Sequence, residues 1–283
     1  MTATPTPVQQ LTPELVSTIG MAIAEGGRVV VITGAGVSAE SGLRTYRGKG
    51  GLWTEEGRSA MTMATAAYFM RNPQESWEWY LKRRIETRRA SPNRAHHAVA
   101  DLAIALGDRF TLITQNIDRL HHRAGMPLDR QVEIHGHHEG MRCASECIGV
   151  KPIPMRFDAW AEGDSLIDAD KRLLTCSRCE DLMRPHVLWF DEFYDEAHYG
   201  IRTAQGAAAR ASICITAGTS GGVPIAERLA SIAVRAGATL IDVNPGDNAL
   251  RRLALNRGGH ALEGSASDVL SELAATVHNA VTR

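Results

Sequence analysis

The residues best equipped for chemistry fall into a few compact groups. Gly34-Ala35-Gly36 follows the apolar run Val29-Val30-Val31-Ile32 with only Thr33 between them. A buried strand that empties into such a turn presents backbone amides unobstructed by side chains, as a parallel sheet does for the phosphates of a dinucleotide. The third glycine of the usual Rossmann spacing is absent, so a plain strand-to-helix turn stays open as the alternative. Cys143, Cys147, Cys176 and Cys179 form C-x3-C and C-x2-C pairs. Four thiolates so spaced can surround a tetrahedral zinc and close its shell, which makes a structural site; reduced cysteines without metal are the alternative. His135, in Glu133-Ile134-His135-Gly136, could take a proton from a hydroxyl near neutral pH, although a histidine so placed is more often structural. Tyr80 and Arg83 stand at i and i+3 on one helix face. A phenol beside a guanidinium is a receptor for a carboxylate, and on spacing alone a solvated arginine is the commoner outcome.

Strand ends are needed to gather these groups. Apolar stretches ending in polar or glycine residues predict strands at 29–32, 110–114, 213–216 and 239–243. Thr12-Pro13-Glu14 supplies a cap, a first-turn proline and an acid for a helix over 15 to about 25. Further helical patterns cover about 64–89, 95–105, 225–236 and 266–277. The alternation predicts an α/β fold with a doubly wound parallel sheet, its ligand residues collected at the carboxyl ends of the strands. Those ends carry Gly34-Ala35-Gly36, Gln115-Asn116, Gly218-Thr219-Ser220 and Asn244. Two stretches break the alternation: 53–89 is helix-rich, and 143–179 is loop-like and holds the cysteine pairs. They predict a smaller helical and zinc-binding domain made of 53–90 and 141–183. It is inserted into a Rossmann-like domain of 12–52, 91–140 and 184–280, after a disordered lead-in over 1–11. His137 and His138 read as loop histidines without a chemical role, and Cys214 as a buried small hydrophobe.

Composition excludes several classes. With 283 residues the chain can bury a full core, and a net charge of −1 gives no nucleic-acid footprint. No run of about eighteen apolar residues is present to span a membrane. The start, MTATPTPVQQ, lacks the basic-then-apolar order of a secretory signal. The expected compartment is therefore the cytoplasm, where paired cysteines point to metal in preference to disulfides.

The run GAGVSAESGLRTYRGKGGLW over 34–53 is far more specific than its glycines alone. Together with TQNID at 114–118, EIHG at 133–136 and RPHVLWFDE at 184–192, it resembles the sirtuins, the NAD-dependent protein lysine deacylases, over about residues 15–272. The resemblance implies NAD as a co-substrate and not a hydride carrier, a structural zinc on the four cysteines, and acylated lysines of proteins as partners. It implies NAD contacts at Gly34, Ala35, Gly36, Ala39, Glu40, Tyr46, Arg47, Trp53, Gly218, Thr219, Ser220, Asn244 and Ala266. Asp118, with the Ile117 backbone, would grip the nicotinamide carboxamide. Gln115 and Asn116 would order water and the ribose, and His135 would be the general base. Val187, Trp189 and Phe190 would line an acyl-lysine tunnel. Tyr80 and Arg83, with Ala64 as the small residue that widens the pocket, resemble the class that removes succinyl and malonyl groups, without excluding deacetylation. The implied products are nicotinamide, O-acyl-ADP-ribose and free lysine.

The chain departs from the family pattern at Arg44 for proline, Tyr46 for phenylalanine, Arg119 for glycine or asparagine and Asp191 for glycine; its first cysteine pair is one residue longer. The altered 43–46 loop keeps ADP-ribosyl transfer or NAD hydrolysis as the alternative activity. A non-catalytic NAD-binding module is disfavoured by the joint presence of Asn116, Asp118 and His135.

Overall fold

The computed structural model describes residues 11–45 and 61–282. Its strands are β1 (Val29–Thr33), β2 (Phe110–Thr114), β3 (Gln131–Glu133), β4 (Gly136–Cys143), β5 (Lys151–Pro152), β6 (Met183–Val187), β7 (Ile213–Ala217), β8 (Thr239–Val243) and β9 (His260–Leu262). One sheet runs β3-β2-β1-β7-β8-β9 and is parallel throughout. A second, antiparallel sheet runs β5-β4-β6.

β1 shows why the large sheet forms. Its β-branched residues suit a pleated surface, and the two-residue period sends Val29 and Val31 into one core and Val30 and Ile32 into another. Helices Pro13–Ala24, Arg94–Leu106 and Ala266–Val281 cover the first core. Helices Ile201–Ala208, Pro224–Arg235 and Ala249–Asn256 cover the second. Burial on both faces is what makes the strands read as continuous apolar runs. Cys214, on β7, is buried as expected.

Strand order diverges at β1, with β2 on one side and β7 on the other, so the crevice opens outside these carboxyl ends. There the loops after β1 and β7 meet backbone to backbone. Gly36 N–H donates to the Gly218 carbonyl at 2.8 Å, and a Cβ on Gly36 would lie 2.8 Å from Gly218 Cα. The glycine turn thus serves the packing of two loops as well as any ligand's approach.

A third core, with Phe69, Trp77, Leu81, Phe157 and Trp160, lies against the second sheet. Here the sequence expectations need correction. The helical stretch over 64–89 is two helices, Ala66–Arg71 and Pro73–Arg89, because Pro73 has no N–H to continue the first and opens the second. The loop-like 143–179 segment contains β5, a 3-10 turn over Met155–Ala159 and the helix Asp168–Leu173. His137 and His138 lie on β4 and not in a loop. Leu11, assigned to the lead-in, is buried, and its N–H donates to Glu272 Oε1 at 3.1 Å. The rest of that lead-in lies outside the described residues. No helix among the described residues is long and apolar enough to cross a membrane.

Candidate active site

The strand ends open on a cavity of about 970 Å3. Gly34, Ala35, Gly36, Ala39 and Glu40 line it from the loop after β1. Gly218, Thr219 and Ser220 after β7, Asn244 after β8, and Ala266 at the start of the last helix line it as well. Gln115 Nε2 bridges two strand ends by donating to the Thr33 carbonyl (3.2 Å) and to Thr219 Oγ1 (3.1 Å). Asn244 is oriented by Asp242, whose carboxylate accepts from Asn244 (2.8 Å), Thr216 (2.7 Å) and Asn248 (2.9 Å). Burial raises the Asp242 pKa against those three bonds. Sequence reasoning missed Asp242 and Asn248; the available signal was one acid interrupting the apolar run Thr239–Val243. Tyr46, Arg47 and Trp53 lie outside the described residues.

Gln115, Asn116, Ile117 and His135 line the same cavity. Asp118 instead lines an adjoining recess of about 60 Å3, together with Ser38, Asn116 and Arg83. Ser38 Oγ donates to Asp118 Oδ2 at 2.7 Å, and Leu120 N–H donates to Oδ1 at 2.8 Å. Burial pushes the Asp118 carboxyl up in spite of both bonds. His96 Nε2 lies 3.3 Å from Ser38 Oγ, while its Nδ1 is 3.2 Å from the Asn93 backbone nitrogen and 3.0 Å from Asn93 Oδ1. Asn116 Nδ2 donates to Ser38 Oγ at 3.2 Å. Ser38 therefore receives a hydrogen bond from Asn116 and passes one to Asp118, each polarising the next.

His135 is fixed at both ring nitrogens. Nδ1 is 2.9 Å from the Gln115 carbonyl, which can only accept, so Nδ1 carries the proton. Nε2 is 3.0 Å from the Tyr194 hydroxyl. Burial lowers the His135 pKa to about 4, against the Gln115 bond, so the imidazole is neutral at physiological pH. Sequence reasoning missed Tyr194, which nothing in its local pattern distinguishes.

The rest of the cavity wall carries Ala64, Tyr80, Arg83, Val187, Trp189 and Phe190. Tyr80 and Arg83 are only 3% and 6% exposed, so the solvated-arginine alternative does not hold. The Arg83 guanidinium stacks over Trp79 with its carbon 4.4 Å from the ring centroid, and Glu86 Oε2 is 3.5 Å from Nη1. Trp189 Nε1 donates to the Tyr80 oxygen at 2.7 Å, which polarises that phenol as a donor in turn. Phe190 N–H donates to the Ala64 carbonyl at 3.1 Å. Asp191 accepts from the N–H groups of Ala66 (2.7 Å) and Ala67 (3.0 Å), tying the Phe190 segment to the helix beside Ala64.

A sequence model of the Sir2 family matches residues 34–224. An NAD-dependent protein deacylase of Archaeoglobus fulgidus is 35% identical over 92% of this chain and 97% of its own length. The chain belongs to the Sir2 family. A second relative, the NAD-dependent protein deacylase of Methylococcus capsulatus, is 37% identical over 88% of this chain and 91% of its own. The crystal structure of a Sir2 homologue in complex with NAD superposes with a TM-score of 0.79 at 32% identity, covering 97% of this chain and 96% of that one. The parallel sheet and its crevice are thus the Sir2 architecture.

The departures from the Sir2 pattern have local explanations. Arg119 has φ 63°, the left-handed region in which glycine and asparagine are usual, and Glu133 holds its guanidinium at 3.0 Å. The longer first cysteine pair still converges: the sulfur atoms of Cys143, Cys147, Cys176 and Cys179 all lie within 4.8 Å of one another, with close pairs at 3.2–3.5 Å. Four thiolates about 2.3 Å from one zinc would stand slightly farther apart, so the set fits a closed tetrahedral site. Backbone N–H groups of Arg178 and Cys179 lower the Cys176 thiol, while the neighbouring sulfur atoms raise Cys147. Such a site would join β4 to the Cys176–Cys179 turn. Elemental analysis is expected to find one zinc per chain, lost together with the near-UV signal of Trp77 and Trp160 in a Cys176→Ser variant. A zinc-free chain with an unchanged melting curve would refute a structural metal.

Proposed function

We propose that the chain is an NAD-dependent protein-lysine deacylase whose acyl pocket suits dicarboxylic acyl groups, succinyl and malonyl, with deacetylation as a weaker activity. The observation that supports this reading most is the buried Tyr80–Arg83 pair in the wall of the cavity that His135 and the glycine turns also line. A buried guanidinium beside a phenol binds a terminal carboxylate by charge-assisted hydrogen bonds, and an acetyl group has nothing to offer it. In this reading NAD supplies an activated ribose on loss of nicotinamide, and the acyl oxygen attacks that carbon. Asp118, braced by Ser38 and Leu120, holds the departing carboxamide. His135 Nε2, kept neutral by burial, takes the proton of a ribose hydroxyl as it attacks the acyl carbon; a water then adds to that carbon and the lysine nitrogen leaves with a proton, giving free lysine and O-acyl-ADP-ribose. The residue assignments and the division into a nucleotide domain and a cysteine-bearing insertion belong to the same proposal.

The test is mass spectrometry of NAD reactions with matched succinyl-lysine and acetyl-lysine peptides. O-Succinyl-ADP-ribose is expected from the wild-type chain. Arg83→Met is expected to lower succinyl kcat/KM by about a hundredfold or more, the cost of an unpaired buried carboxylate, and to change acetyl turnover only a few-fold. Equal losses on both peptides would remove Arg83 as a carboxylate receptor. Nicotinamide release with neither peptide deacylated would move the chain to the hydrolase or transferase alternative.

A further inference from the structure

Tyr194 is the one side chain other than substrate that reaches the basic nitrogen of His135 among the described hydrogen bonds. Since Nδ1 bears the proton, Nε2 presents a single lone pair, and the Tyr194 hydroxyl at 3.0 Å must be its donor. The two rings lie 5.9 Å apart at 33°. The chain around Tyr194 is pinned on both sides. Glu192 pairs with Arg184 and accepts from the Trp189 N–H, while Asp195 caps the next helix by accepting from His198 N–H. Phe193, between them, is 89% exposed, whereas Tyr194 is turned inward to the cavity. Burial raises the Tyr194 pKa to about 12, and the phenol keeps its proton.

We infer that Tyr194 is a positioning residue for the catalytic base: its hydroxyl caps His135 Nε2 until a ribose hydroxyl takes its place. The inference rests on the deacylase reading and deepens it. A nitrogen with one lone pair cannot accept fully from two hydroxyls, so the ribose must displace the phenol before its proton can be taken. Until then the imidazole is held by hydrogen bonds at both nitrogens. Donation to Nε2 also favours the neutral ring, so removing the hydroxyl raises the His135 pKa. Charged groups on the surrounding elements are engaged elsewhere. Glu133 faces Arg119 and His137, Glu192 faces Arg184, and Asp195 faces His198. Asp118 is held by Ser38.

The experiment compares wild type with Tyr194→Phe, using deacylation of the peptide that wild type turns over best, from pH 5 to 8.5. Melting curves and NAD titrations of both proteins establish that the variant is folded. Tyr194→Phe is expected to reduce kcat by about tenfold at pH 7.5 with KM for NAD little changed. Its acid limb, once activity at each pH is divided by the native fraction that circular dichroism gives for the same sample, is expected to lie about one unit above that of wild type. In wild type, activity should fall only where the fold itself is lost. A folded variant with the wild-type limb would overturn the inference, whatever its kcat, because a merely structural tyrosine does not move the titration of the base. Failure of wild type to deacylate any peptide would instead overturn the deacylase reading.

Discussion

Between pH 6.5 and 4.5 the protein is expected to unfold cooperatively, taking up several protons, before its ordinary carboxylates are titrated. The cause is a set of six histidines held neutral: burial lowers His96, His135 and His186 to about 4, His137 and His138 to about 3, and His121 well below its ordinary 6.5. His138 is lowered further by Arg83 and Arg84, and His186 by Arg142. His96 and His121 sit together, ring centroids 4.7 Å apart, beneath Ser38 and Thr33. Each folded value lies below the unfolded one, so the unfolded chain binds protons first as the pH drops. The stability is intact above about 6.5 and is lost as pH falls towards the folded values.

The magnitude is a large share of a domain's stability. His96, His138 and His186 are at most 5% exposed, and at about 1.4 kcal/mol per unit each costs about 2 kcal/mol by pH 5. Three such groups alone take up much of the about 5–15 kcal/mol that holds a typical domain together. Three buried carboxyls act in the opposite sense: burial raises Asp118 and Asp242, and raises Glu133 to about 7, so protonating them on acidification favours the folded state, Glu133 alone offsetting roughly one histidine. Tryptophan fluorescence and circular dichroism against pH, with zinc release followed in the same samples, measure the outcome. A slope of about three or more in log K against pH, with unfolding ahead of metal release, is the expected result. Native signals persisting at pH 4.5 would refute it.

These histidines also show where sequence reading stops. β1, β2, β7 and β8 are legible because a strand buried on both faces needs about five consecutive apolar residues. β3 and β9 are three residues each, and Gln131-Val132-Glu133 has one apolar residue; only its register with Leu112–Thr114 makes it a strand. β4, reading GHHEGMRC, hides its burial under polar residues, so His137 and His138 look like loop residues until β6 pairs with Gly136 and Met141 on either side of them. The cavity lining was legible at the strand ends, where motif and topology agree. The residues that hold the lining were not. Ser38 finds His96 and Asp118 across 58 and 80 positions, and Asp191 caps a helix start 125 positions away. Such partnerships exist only once the chain is folded, so Asp191 and Arg119 read as departures from a pattern when each has a local partner.

His135→Ala is expected to lower deacylation by about a thousandfold while NAD still binds and nicotinamide exchange continues. The ring makes no hydrogen bond to the nucleotide-side residues Gly34, Gly218 or Asn244; its contacts are the Gln115 carbonyl and Tyr194. Removing it therefore leaves the glycine turns and the Asp242–Asn244 bracket in place, and with them the groups that would bind NAD. The Ser38–Asp118 chain also stays intact, so nicotinamide should still leave and return. What is lost is the neutral Nε2 that accepts a ribose proton, a contribution of about 10²–10⁴ when a positioned base is deleted. Alanine is the informative replacement because it leaves space for water, which can serve as a poor base but not as an oriented one. The assay reads nicotinamide exchange and O-acyl-ADP-ribose in the same reaction. If exchange falls in parallel with deacylation, His135 acts in binding and the base lies elsewhere. If O-acyl-ADP-ribose persists within tenfold of wild type, no base is required at this position. Only the split between the two readouts places His135 after nicotinamide departure and makes its neutral, doubly held imidazole the group on which acyl transfer waits.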